Sequence, residues 1–201
     1  MGEKTSPRAR NIGAGACSWP KTDPLMIGYH DREWGRPVRS DRKIFEFLVL
    51  ESAQAGLSWL IVLRKREGYR RAFAGFEPRL VARFGKRDVV RLLKDASVIR
   101  NRLKIEAVIN NAKRFLEVQK EFNTFSKYMW SFVGEKPIDG RKKNLKDLPI
   151  TTRESEMLAN DLRRRGFKFL GPTIVYAHMQ AVGMINDHIQ SCFRYKELKK
   201  L

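Results

Sequence analysis

Apolar residues recur three and four positions apart through most of the chain, and alternation of apolar with polar residues is almost absent. That periodicity predicts an all-α protein. Ser40 or Asp41 is placed to cap a helix that carries Ile44, Phe45, Phe47, Leu48 and Glu51 and ends near Gly56. Ser58 opens a second, with Trp59, Val62 and Leu63 on its apolar face. A short helix after Pro78 holds Leu80, Val81 and Phe84, and another spans 88–95. A long helix over 102–122 sets Ile105, Val108, Ile109, Ala112, Phe115 and Leu116 on a single stripe. Residues 124–133 are too apolar to be anything but buried on most sides, whereas 136–150, with two prolines, Gly140 and a basic run, reads as the one long linker. Thr151 with Glu154 fits a capping box for a helix to Arg165, which Gly166 ends. Pro172 starts the last long helix, which runs to about Ile185.

At 201 residues the chain has the length of one domain, and 42% hydrophobic content is enough to give it a core. Charge changes the picture more. Lys and Arg number 41 against 22 acids, a formal net charge of +19 spread along the chain, so a polyanion is the natural partner. Composition does not choose DNA over RNA. The longest strongly apolar runs, Phe45–Leu50 and Trp59–Leu63, fall far short of the roughly 20 residues of a membrane helix. Residues 1–16 lack the apolar region of a secretory signal and read as a flexible basic extension, which makes the cytoplasm the expected compartment.

Cys17, His30, His188 and Cys192 use every cysteine and two of the three histidines, one pair near each end. His188 and Cys192, four apart, would share one face of a helical turn and supply two corners of a tetrahedron. The loop from Cys17 to His30 is long enough to supply the other two. Two thiolates with two imidazoles suit Zn²⁺, and a site with all four positions filled is structural. Spacing alone leaves open that the cysteines are free thiols and the histidines ordinary residues. His178, in an apolar helix, reads as a core residue.

Glu51 lies in the apolar run FEFLVLESAQAGLSW, where a carboxylate needs a partner, either a basic side chain or a ligand. Trp19, Tyr29, Trp34 and Trp59 fall in the same first third of the chain, as core or as the lining of a site.

Five segments carry a resemblance in order along the chain: CSWPKTDPLMIGYHDREWG (17–35), FEFLVLESAQAGLSWLIVLRKRE (45–67), LLKDASVIRNRLKIEAVINNA (92–112), MWSFVGEKP (129–137) and RRRGFKFLGPTIVYAHMQAVGMINDHIQSC (163–192). Together they resemble the 3-methyladenine DNA glycosylase I family. The resemblance implies a helix-hairpin-helix glycosylase fold over 17–195, followed by a tail over 196–201. A zinc lobe would form from 17–40 and 151–195, a helical hairpin lobe from 41–135. It implies a structural zinc ion on Cys17, His30, His188 and Cys192, and a monomer acting on alkylated double-stranded DNA. Glu51 would contact the hydrogen-bonding edge of a flipped base, with Tyr29, Trp59, Trp19 and Trp34 lining or stacking on it. The reaction implied is hydrolysis of the N-glycosidic bond to leave an abasic site, with no aspartate nominated to activate water.

The turn 96–101 resembles the family's hairpin, with Arg100, Arg102 and Lys104 as its cations. Three positions depart from the pattern: Ser97 where glycine is expected, Met26 where tyrosine stands, and Ala53 near a usual glutamine. The main rivals are a zinc-stapled nucleic-acid-binding module without catalysis, with Glu51 in an ion pair, and a glycosylase of the same fold with another base specificity.

Overall fold

Residues 44–53 are buried without a break, so the helix that carries them, α2 (Asp41–Gln54), runs through the centre of the molecule. The computed structural model describes residues 17–200, and the extension expected over 1–16 lies outside them. Around α2 pack α3 (Trp59–Ala72), α6 (Arg102–Phe122), α7 (Phe125–Ser131) and α9 (Pro172–Ala181). Phe115 of α6 joins the three central helices, its ring 5.3 Å from Phe45 of α2 and stacked 4.0 Å from Phe125 of α7. The remaining α-helices among the described residues are α1 (Pro24–Arg32), α4 (Pro78–Val81), α5 (Lys86–Lys94), α8 (Arg153–Arg164) and α10 (Phe193–Leu198). No helix among the described residues is long and apolar enough to cross a membrane.

The long helix begins and ends where its stripe does, with Asn101 Oδ1 accepting from the Lys104 amide at 3.1 Å as its N-cap. Other boundaries move, each for a local reason. Ser40 is the N-cap residue of α2 without a side-chain bond, and Asp41 caps α7 instead, accepting from the Phe125 and Ser126 amides at 2.8 Å each. The capping box of α8 is Thr152 with Ser155, one residue later than Thr151 with Glu154. Leu80, expected on an apolar face, is exposed, since α4 is too short to bury more than Pro78 and Val81. The last long helix stops at Ala181. Gly183 adopts φ +72°, and a Cβ there would lie 2.3 Å from the Arg36 carbonyl carbon.

Directly after that turn the chain is extended. Ile185–Asn186 (β2) pairs in parallel with Ile138–Asp139 (β1), two residues each, too short to leave a period-two signal. The Gly35 amide donates to Gln180 O and the Val38 amide to Val182 O, at 3.1 and 3.0 Å. The N-terminal and C-terminal segments are thereby stitched together. α10 (Phe193–Leu198) runs past 195 and buries Leu198.

Candidate active site and metal centre

Four ligand atoms converge where these segments meet. Cys17 Sγ, His30 Nε2, His188 Nδ1 and Cys192 Sγ are all buried and lie within 4.8 Å of one another. Sulfur–nitrogen separations are 3.7 Å from Cys17 to His188 and 3.6 Å from Cys192 to each histidine. A tetrahedral ion with bonds of about 2.3 Å to sulfur and about 2.0 Å to nitrogen sets such edges at about 3.5 Å. The donor set therefore fits a metal ion.

The far nitrogens agree. His30 Nδ1 lies 2.7 Å from Asp31 Oδ1 and His188 Nε2 lies 3.1 Å from the Trp34 carbonyl oxygen, so each ring donates outward and keeps its inward lone pair. Gly35, at φ +79°, leaves room for that arrangement, because a Cβ there would stand 3.0 Å from His188 Nε2. One expectation is corrected: His188 and Cys192 do not share a helical turn. They bracket a loop turn closed by the Cys192 amide donating to Ile189 O at 2.8 Å, and Cys192 is the N-cap residue of α10.

The same four-ligand centre backs a cavity of about 270 Å³, just under the roughly 300 Å³ at which drug-sized ligand sites begin and so suited to one base. Trp19, Tyr29, Trp34, Glu51 and Trp59 all line it, brought together by α1, α2, α3 and the segments on either side of α1. The Trp19 ring stands 5.4 Å from that of His30 and 5.1 Å from that of Trp34, which in turn stands 4.5 Å from His188. The Tyr29 and Trp59 rings lie 5.3 Å apart, tilted by 52°. Five lining residues were not anticipated: Gln54, Ala177 and Gln180, and, from the segment read as a linker, Leu145 and Leu148. Met26 and Ala53 pack in or against the core and do not line the cavity.

Two buried glutamates on α2 show what sets Glu51 apart. Each is 3% exposed. Glu46 accepts from Arg66 and Arg70 at 2.8 Å and meets Lys43 at 3.0 Å. Burial alone would raise its pKa, yet Arg66 and Lys43 outweigh burial and hold it below the usual range. Among the described residues Glu51 has no such neighbour. Its Oε2 is buried without a hydrogen-bond partner, and burial alone pushes the carboxyl up to about 8. Tyr29 is shifted upward as well, by burial first and then by the Glu51 charge. Two more orphaned donors, Trp19 Nε1 and Trp59 Nε1, belong to the same lining. Polar atoms left unmet at one cavity are free to meet a ligand, and an acid walled by indole and phenol rings suits a flat cation. His178 is buried as expected, but among the described residues neither ring nitrogen finds a partner, and burial lowers its pKa to about 3.

The hairpin between α5 and α6 is held from below by α3. Lys65 Nζ donates to Ala96 O at 2.7 Å, and the Ile99 amide donates to the Tyr69 hydroxyl at 3.2 Å. Ser97 keeps a negative φ and needs no glycine. The glycine this contact requires is Gly68, where a Cβ would come within 2.4 Å of Ser97 O. Arg100 and Arg102 are exposed, and Arg102 reaches Glu106 only at 3.5 Å. Lys104 is turned inward instead: its ammonium donates to Ala53 O at 2.9 Å and Ala55 O at 2.6 Å, the last carbonyls of the helix that carries Glu51.

Hairpin, cavity and four-ligand centre together define a class: a helix-hairpin-helix protein with an aromatic cavity around a buried acid. The sequence model of the methyladenine glycosylase family matches residues 19–195, and the chain belongs to that family. It is 46% identical over 179 residues to DNA-3-methyladenine glycosylase 1 of Escherichia coli K12, spanning 89% of this chain and 96% of that one. A crystal structure of 3-methyladenine DNA glycosylase I (TAG) superposes with a TM-score of 0.86 at 47% identity, covering 89% of this chain and 98% of that one. The Staphylococcus aureus enzyme, in a structure concerned with 3-methyladenine recognition, superposes at 0.87 with 37% identity, covering 89% and 95%.

Proposed function

We propose that this chain hydrolyses the N-glycosidic bond of N3-methyladenine in double-stranded DNA, releasing the free base and leaving an abasic site. The observation that carries this reading is the unpaired, buried carboxylate of Glu51 inside an aromatic cavity. N3 methylation gives adenine a positive charge while it remains joined to the sugar. A carboxylate and electron-rich rings therefore bind the lesion better than the intact base. The nucleotide must first leave the duplex stack, at a few kcal/mol. Cleavage sends the C1′–N9 bonding pair onto the purine, which departs neutral; water adds to C1′ and gives up a proton. Among the described residues Glu51 is the one acid lining the cavity, so its role is to hold the base and its developing electron density.

The metal on Cys17, His30, His188 and Cys192 is read as a structural Zn²⁺, which ties the two ends of the chain together and fixes the aromatic wall. Arg100 and Arg102 serve as the phosphate contacts beside the hairpin, whereas Lys104 positions the end of α2. A monomer acting on the genome in the cytoplasm completes the reading. If the two arginines neutralise phosphates, Arg100→Ala and Arg102→Ala should each flatten the plot of log binding constant against log salt by about one unit, uniformly over sequence. An unchanged slope would remove them from the interface.

The reaction is tested by incubating the purified protein with methylated duplex DNA and identifying the released base. Free 3-methyladenine is the expected product. Intact DNA that is still bound would mark a binding module, and a different base would mark another specificity.

A further inference from the structure

Charge explains how a damaged base is told from an undamaged one, but not adenine from guanine, since both become cationic when methylated at N3. The two purines differ at position 6, where adenine presents an amino donor and guanine a carbonyl acceptor. A pocket that reads this difference needs an acceptor held in a fixed direction.

Gln180, on α9, lines the cavity together with Glu51. An amide can present either end, and here the choice is made from behind. Gln180 Nε2 donates at 2.9 Å to Asp187 Oδ2, and the Tyr176 hydroxyl, one turn earlier on α9, donates to the same oxygen at 2.5 Å. Asp187 is buried, and Gly140 is packed so closely on its other oxygen that a Cβ there would stand 2.1 Å away. Tyr176 stays the donor: burial, then its bond to Asp187, shifts its pKa upward. A flipped Gln180 would set its oxygen against that acceptor, so the NH₂ end is committed to Asp187. Among the described residues the other end, Oε1, takes no protein donor and is not a sealed atom, which leaves it free for a ligand in the cavity that the residue lines.

We propose that Gln180 is a specificity-determining residue, whose Oε1, aimed by Asp187 and Tyr176, accepts from the 6-amino group of a methylated adenine and repels the 6-oxygen of a methylated guanine. With Glu51 it makes a pair of acceptors for the amino edge of one base. The inference rests on the base-excision reading above and deepens it. None of the groups involved is a proposed metal ligand, although Asp187 precedes one.

The test compares wild type with Gln180→Leu on duplex DNA methylated at N3 of adenine and of guanine, measuring kcat/KM for each released base. The variant is expected to lower the ratio of 3-methyladenine to 3-methylguanine release by about tenfold or more, because loss of the acceptor harms one base and relieves the other. Gln180→Met, closer in shape, stands in if the leucine variant misfolds. Titration of both free bases against tryptophan fluorescence gives a second readout and should show the same fall in the affinity ratio. A merely structural role would lower both rates together; an unchanged ratio, at any absolute rate, would overturn the proposal. A wild type that releases neither base would instead defeat the base-excision reading itself.

Discussion

A Glu51→Gln variant is expected to excise 3-methyladenine at least about 10²-fold more slowly than wild type while melting at a higher temperature above pH 7. Both effects follow from one unpaired acid. Burial lifts the Glu51 carboxyl from 4.5 to about 8. Between those values the unfolded chain ionises while the folded one keeps its proton, so the folded state binds more protons and stability falls as pH rises. The slope reaches about 1.4 kcal/mol per pH unit, or about 5 kcal/mol across the window; it is absent below 4.5 and complete above about 8. Capture of a cationic base runs the other way. It requires the carboxylate, so binding releases a proton, and kcat/KM should climb roughly tenfold per unit towards pH 8 and then level. The glutamine side chain has neither slope. Melting temperatures and kcat/KM for both proteins from pH 5 to 9 check the claim. Parallel profiles for wild type and variant would show that Glu51 does not titrate in the pocket.

Such a residue was visible in the sequence because a carboxylate within ten consecutive buried positions is costly whatever surrounds it. What the sequence left open was which acid on that helix has a partner. Glu46 and Glu51 sit in the same run, and only the approach of Arg66 and Arg70 from α3 settles that Glu46 is the structural one. The same limit governs Asp41 and Lys104. Each looks like a local cap or a free cation, yet their partners lie 84 and 49 residues away. The four ligands were legible through scarcity, there being so few cysteines and histidines to distribute. Leu145, Leu148 and Gln180 were not, since two leucines in a basic linker and one glutamine on an apolar helix carry no periodic signal. Their role exists only once α2, α9 and the linker enclose a common space.

Stripping the metal proposed for Cys17, His30, His188 and Cys192 is expected to lower the melting temperature by about 10–20 °C and to abolish base binding before the helices melt. The first number follows from chain entropy. A cross-link between residues 171 apart, as Cys17 and His188 are, removes about 5 kcal/mol of freedom from the unfolded chain, and each kcal/mol moves the midpoint of a chain this size by about 2–4 °C. The second follows from where the centre lies. Phe45, Phe115 and Phe125, at the junction of α2, α6 and α7, owe nothing to the ligands, so helical circular dichroism should persist. Trp19 and Trp34 instead pack edge-on against His30 and His188 and form the wall of the cavity. Metal analysis of protein purified without chelator, then melts and 3-methyladenine titrations before and after chelation, separate the two effects; Cys192→Ser should reproduce both. Zinc added back should restore the melting temperature and base affinity together. A well-folded protein that carries no metal, or a stripped one that binds 3-methyladenine as tightly as before, would show that the aromatic wall stands without its staple.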